Sequence, residues 1–202
     1  PDGTCKYLFE LKDGNRIETV LLRDSDRITL CISTQAGCRM GCKFCATGGI
    51  KLVRNMTAAE IVSQVYSVAA MKEPVTNIVF MGMGEPLDNY DNCLKAAKML
   101  TSPDGKNFSQ RHITLSTCGI ADRIEQLAEE DIHPRLAISL NSAGKTRKQL
   151  MPVANRCPLN RLERAIRYYQ KKTGLRVTFE YILIGAVNDS PRDADQAARF
   201  MK

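Results

Sequence analysis

The stretch TLCISTQAGCRMGCKFCATG, Thr29 to Gly48, starts as a run of β-branched and apolar residues and ends in a loop with three cysteines. The run is short enough to be a buried strand. Cys38, Cys42 and Cys45 are spaced as C-x3-C-x2-C, and Gly37, Gly41, Gly48 and Gly49 let the backbone wrap closely around a bulky group. Thiolates are soft ligands that select zinc or iron–sulfur centres. Both usually take four protein ligands, and the remaining candidates (Cys31, Cys93, Cys118, Cys157, His112 and His133) are scattered singly. One reading is a completed zinc site. The other is a 4Fe–4S cluster on three cysteines, with one iron left open for a substrate or cofactor.

Working outward, four more runs resemble buried strands: NIVFMG, HITLST, RLAISL and RVTFEYILI. Helical patterns separate them. Thr57 and Glu60 form a capping-box signature ahead of Ile61, Val65 and Val68. DNYDNCLKAAKML and GIADRIEQLAEE follow, and the longest pattern sets Leu159, Leu162, Ile166 and Tyr169 on one face before Gly174. KYLFELKDG and RIETVLL read as a hairpin turning at Gly14. Alternating strands and helices imply an α/β fold with a parallel sheet, curved or closed. In such folds the loops after strand C-termini carry the site.

The chain of 202 residues is 44% hydrophobic and 25% charged, ordinary material for one domain. Eight cysteines do not read as a secreted disulfide framework, because the first residues, PDGTCKYLFELKDG, have no apolar signal segment. A reduced, cytoplasmic protein is expected. No apolar run approaches the roughly 20 residues that span a membrane. A net charge of +7 suits a polyanion such as RNA, or simply a basic surface. The chain starts at Pro1 and ends inside the helix-like SPRDADQAARFMK, so a fragment is expected.

The cysteine spacing after a strand resembles that of the radical S-adenosylmethionine enzymes. With NIVFMGMGEPL, ITLSTCGI, LAISLN, LMPVANRCPL and FEYILIGAVND, the sequence is similar to the adenine-C2 methyltransferases of 23S rRNA and tRNA across nearly its whole length. The carbon 8 methyltransferases, which confer antibiotic resistance, share most of these motifs. The resemblance implies a partial (β/α)6 barrel at 27–202, truncated at its C-terminus with five of six parallel strands, after a β-hairpin extension at 1–26. The small helical N-terminal RNA-binding domain usual in the family is not in this sequence.

It also implies a 4Fe–4S cluster on Cys38, Cys42 and Cys45, and S-adenosylmethionine held by Gly84, Glu85, Ser116, Ser139, Leu140 and Asn141. Asn141 departs from the family's usual histidine. Read locally, GMGEP offers close backbone approach and an anion for an ammonium group, or is a plain turn, and serines at strand ends are ordinary caps. Glu18 matches the family's proton acceptor and Cys31 one of its two redox-active cysteines. Their bland alternatives are a solvated glutamate and a small buried cysteine.

The implied reaction passes through a methyl-cysteine and a disulfide that involves Cys31. Its methyl carrier lies beyond this chain, so the 202 residues alone are expected to be inactive. Cys5, Cys93, Cys118 and Cys157 are expected to be structural. The expected partners are 23S rRNA, tRNA and an electron donor such as flavodoxin or ferredoxin, with the enzyme a monomer. Arg39, Lys43, Lys51 and Arg54 near the triplet, and Arg111, Lys145, Arg147, Lys148 and Arg156 elsewhere, are candidates to neutralise phosphates. The rival of another class is a zinc-stabilised RNA-binding module.

Overall fold

The computed structural model describes residues 3–71 and 73–202; Pro1 and Asp2, the start of the expected 1–26 extension, and Lys72 lie outside the described residues. Strands β1 (Cys5–Glu10) and β2 (Arg16–Asp24) form the hairpin, with Gly14 at φ +82° in its turn. β2 then pairs antiparallel with β3 (Arg27–Cys31), so the hairpin extends the main sheet. After β3 the chain leaves the sheet in the cysteine loop, whose ends join in a short ribbon of β4 (Gln35–Ala36) and β5 (Arg54–Asn55).

Helices and strands alternate from there. α1 (Ala58–Ala70) leads to β6 (Asn77–Phe80), α2 (Tyr90–Thr101) to β7 (Ile113–Thr117), and α3 (Ala121–Leu127) to β8 (Arg135–Ser139). α4 (Thr146–Leu150) and α5 (Leu159–Thr173) precede β9 (Val177–Glu180) and α6 (Pro191–Met201). The sheet order is β1-β2-β3-β6-β7-β8-β9, and the five strands from β3 onward are parallel. This is the expected mixed α/β, mostly parallel sheet of a partial barrel, and its five parallel strands are those read from the sequence.

Period-two alternation divides the strands between two faces. One face sends Leu30, Ile32, Ile78, Phe80 and Ile113 against Ile61, Val65 and Val68 of α1 and Ala96 and Leu100 of α2. Further along, Leu115, Leu136 and Ile138 pack with Ile124 of α3 and Leu162, Ile166 and Tyr169 of α5. Each fully buried aliphatic side chain here contributes roughly 1.5–3 kcal/mol. The opposite face carries Cys31, Val79, Ser116, Ala137, Ser139 and Glu180, joined by the strand register. Small and polar residues are found there, and the site is built on them.

The helix ends follow the sequence signals. Thr57 and Glu60 make the capping box of α1, worth about 1 kcal/mol. Gly174 ends α5 in the left-handed region at φ +71°. Among the described residues no helix is long and apolar enough to cross a membrane.

Candidate functional site

The cysteine loop is shaped by its backbone. Cys38 N–H donates to the Ile50 carbonyl at 3.0 Å, Val53 N–H to Ala36 at 2.8 Å, and Gly48 N–H to Cys45 at 2.9 Å. At Gly48 a Cβ would stand 2.2 Å from the Cys42 carbonyl oxygen, so only glycine permits this close return. From below, Lys43 N–H donates to Leu150 at 2.9 Å, and Met40, Cys42 and Phe44 pack on Cys118, Leu150 and Met151.

Cys38, Cys42 and Cys45 line one wall of a cavity of about 240 Å³. Gly82, Gly84, Glu85 and Pro86, in the turn after β6, form a second wall, and Ser116, Thr117, Ser139 and Glu180 a third. Gly84 has φ +103°, and a Cβ there would lie 2.7 Å from the Thr34 hydroxyl and the Gln35 side chain. That turn is therefore pressed against the strand leading to the loop. Thr34 N–H donates to Met83 at 2.8 Å, and Glu85 N–H to the Gln35 side chain at 2.8 Å.

Glu85 is 4% exposed, and its carboxylate is already engaged. Its Oε1 accepts from Leu87 N–H at 3.0 Å and its Oε2 from Cys118 N–H at 2.8 Å. Burial pushes the carboxyl up and these hydrogen bonds oppose the shift. The side chain thus ties the turn to the end of β7. Glu180 is the acidic group presented in the cavity with polar company: its Oε2 accepts from Ser116 Oγ at 2.7 Å and Ser139 Oγ at 3.2 Å. The sequence reading passed over Glu180. Its signal was the alternation in VTFE, which sends Val177 and Phe179 to the helices and Glu180 to the other face.

Four residues expected at the site lie outside this cavity lining. Leu140 and Asn141 are buried, with Asn141 Oδ1 accepting from Ile182 N–H at 2.9 Å and its carbonyl from Asn188 Nδ2 at 2.7 Å. Asn141 also takes φ +52°, which asparagine tolerates better than most residues. Cys31 is on the inner face, one strand away at the level of Val79, and burial pushes its thiol up to about 11. Glu18 is farther out on that face, ion-paired with Lys6 at 2.8 Å.

Two expectations need correction. Arg147 is 1% exposed and turned toward main-chain carbonyls, so it has no surface to offer a phosphate. Cys5 is exposed on β1, unlike Cys93, Cys118 and Cys157, which are buried as structural cysteines should be. Of the other basic residues, Arg39 bonds Asp88 at 2.7 Å and Arg54 bonds Glu60 and Asp13, while Lys43, Lys51, Arg111, Lys145, Lys148 and Arg156 are exposed. All eight cysteines are free thiols, with no disulfide among the described residues.

The thiol chemistry fits an iron–sulfur cluster. Burial pushes Cys42 up to about 12, and the nearby Cys38 and Cys45 thiols push in the same direction, so three thiolates here need a cationic core between them.

Residues 32–198 match the Radical SAM superfamily. The chain is 48% identical to a probable dual-specificity RNA methyltransferase RlmN of Clostridium novyi, over 100% of this chain and 59% of that protein. It is 50% identical to one of the same name from Symbiobacterium thermophilum, over 99% and 55%. It therefore spans somewhat over half the length of these curated relatives. The crystal structure of a radical SAM methyltransferase from Sphaerobacter thermophilus superposes with a TM-score of 0.94 at 45% identity, covering 98% of this chain and 60% of that one. On these matches, and on a three-cysteine loop that follows the first parallel strand, the chain belongs to the radical SAM superfamily, which implies a 4Fe–4S cluster and S-adenosylmethionine.

Proposed function

We propose that this chain forms the cofactor-binding part of a methyltransferase that modifies carbon 2 of an adenosine in 23S rRNA and tRNA. The observation that carries the reading is that one cavity joins the three loop cysteines to the Gly82–Pro86 turn and to Ser116, Ser139 and Glu180. The RNA methyltransferase names of the relatives support the substrate class. When bound, the cluster and S-adenosylmethionine supply one-electron bond cleavage and the methyl group.

The protein's own residues do the rest. Cys38, Cys42 and Cys45 hold the cluster. Gly84 and Glu85 place backbone beside the methionine end of the cofactor, and Ser116 and Ser139 face its nucleoside part. Leu140 and Asn141 support that wall from behind through the Asn141–Ile182 hydrogen bond. Glu18 accepts the ring proton from the open face, with Lys6 holding its carboxylate. Cys31 resolves the protein–RNA adduct by a disulfide with the methyl-carrying cysteine, which belongs to a part of the relatives that this chain does not span. The enzyme works in the cytoplasm as a monomer, takes electrons from a flavodoxin or ferredoxin, and the 202 residues alone do not complete methyl transfer.

Anaerobic reconstitution is the first test. Iron and sulfide bound in proportion, with a brown chromophore that changes when S-adenosylmethionine is added, is the expected result. A colourless protein retaining one zinc overturns it in favour of a zinc module. Mass spectrometry of nucleosides modified by the full-length parent then reads the position: 2-methyladenosine is expected, and 8-methyladenosine would replace this assignment.

A further inference from the structure

Among the described residues Arg147 is the largest fully buried side chain. It sits in α4, its Nη1 donating to the Ser139 carbonyl at 2.7 Å, to the Leu140 carbonyl, and to Met151 Sδ at 3.2 Å. Its Nη2 donates to the Cys118 carbonyl at 2.8 Å, and its buried Nε has no partner. Every partner is neutral, and among the described residues no carboxylate is ion-paired with it. Arg39, Arg54 and Arg161, by contrast, each pair with at least one carboxylate.

A guanidinium does not lose its proton in a protein, so this is a fixed interior cation, and such a charge is costly without an opposite one nearby. The thiols whose charge bears on Arg147 are those of Cys118, Cys157 and Cys42, and the buried Glu85 carboxylate lies across Cys118, accepting from its N–H at 2.8 Å. Cys42 belongs to the loop triplet, and the layer between is apolar: Met151, Leu150 and Cys118 pack directly on Met40, Cys42 and Phe44. Across such a layer a charge is poorly screened.

We propose that Arg147 is the buried counter-charge of the metal-loaded cysteine loop, a positioning residue that steadies the anionic cluster and raises its reduction potential. The inference rests on the reading that Cys38, Cys42 and Cys45 hold a 4Fe–4S cluster. Three thiolates make the loaded loop anionic, and one electron from a one-electron donor adds a further negative charge. A neighbouring cation therefore stabilises the reduced form more than the oxidised one, and net charge is among the factors that set cluster potentials. An arginine that merely braced strand ends would affect folding and leave the potential alone.

The test is a redox titration of the anaerobically reconstituted holoprotein, followed by electron paramagnetic resonance, on the parent, Arg147→Gln and Arg147→Lys. The glutamine variant should keep its iron and sulfide content while its reduction equilibrium weakens about tenfold, a midpoint lower by about 59 mV for one electron. The Arg147→Lys variant should match the parent at low pH. A buried lysine deprotonates as pH rises, so its midpoint should then fall below that of the parent, whose arginine stays charged. This second variant decides the matter if the glutamine variant does not fold. A loaded Arg147→Gln protein with the parental midpoint, or an Arg147→Lys protein with the parental pH profile, overturns the proposal. A parent that binds no iron overturns the cluster reading instead.

Discussion

Cys38, Cys42 and Cys45 line a cavity from a loop held by backbone hydrogen bonds and close glycine contacts, whereas Cys93 and Cys157 are packed at 1% and 8% exposure and Cys118, at 6%, borders the same cavity from the packed end of β7. Burial raises the thiol of Cys42 and those of Cys93 and Cys118 alike, but the next cause differs. For Cys42 it is the other loop thiols, and for Cys93 and Cys118 it is the Glu85 carboxylate. A buried thiol beside a carboxylate stays protonated and behaves as a small hydrophobe. Thiols that raise one another's ionisation cost become ligands once a cation arrives. Glu85 also raises Cys38 and Cys42, so what makes the loop thiols the candidate ligands is the loop that brings three of them to one cavity wall.

Exchanging one atom in each region should break the pair apart most visibly. Cys42→Ser should lower bound iron after reconstitution by at least the roughly 10–100-fold lost when a group that only orients a metal ligand is removed, with little change in the urea midpoint. Cys93→Ser should do the reverse, placing a hydroxyl in the apolar cluster of α1 and α2 at a cost of about 1–3 kcal/mol while iron content holds. Iron assay and urea unfolding on both variants check this. A Cys93→Ser protein of parental stability that has lost its iron would erase the distinction.

The two regions were not equally legible in the sequence. The loop was, because its message is local: three cysteines after a β-branched run, with glycine at Gly48 where a Cβ would stand 2.2 Å from the Cys42 carbonyl oxygen. The five parallel strands and the Thr57–Glu60 capping box were legible for the same reason. What escaped notice depends on strand register. Glu180 meets Ser116 and Ser139 across 64 and 41 residues of sequence, and only the alignment of β7, β8 and β9 brings them together. Arg147 reads as one more surface cation between Lys145 and Lys148, which are exposed, yet the carbonyls at the ends of β7 and β8 draw its guanidinium inside. Glu85 was found as a residue, but not the inward turn of its carboxylate.

Alkylation kinetics sharpen the comparison at intermediate scale. In the metal-free native chain iodoacetamide should modify exposed Cys45 and Cys5 first, with Cys93, Cys118 and Cys157 reacting about tenfold more slowly or less, through local opening. Loading the loop with iron and sulfide should protect Cys45 and leave Cys5 at its former rate. Peptide mass spectrometry over a time course distinguishes the sites. Equal protection of Cys5 would mean that loading acts on the whole fold and not on the loop.

The smallest effect concerns what anchors the loop to the packed region. Arg54, at the loop's exit, places Nη1 and Nη2 2.9 and 2.8 Å from the two oxygens of Glu60 in the first turn of α1. The hydrogen bond from Arg54 is the main cause holding the Glu60 carboxyl below its usual range. A carboxylate with a depressed folded-state pKa stabilises the fold above its unfolded value, near 4.3, and loses that contribution as pH falls through the folded value. With the side chains 31% and 23% exposed, solvent screening limits the pair to about 1 kcal/mol or less. Glu60→Gln should therefore lower stability slightly at pH 7, and the gap to the parent should close as both are taken below about pH 4. Cys45 alkylation should rise about twofold in the variant, because the loop opens more often, while Cys93, on the buried face of α2, keeps its parental rate. Urea unfolding at the two pH values reads the first effect and mass spectrometry the second; a rise at Cys93 equal to that at Cys45 would show that Arg54 braces the core and not the loop.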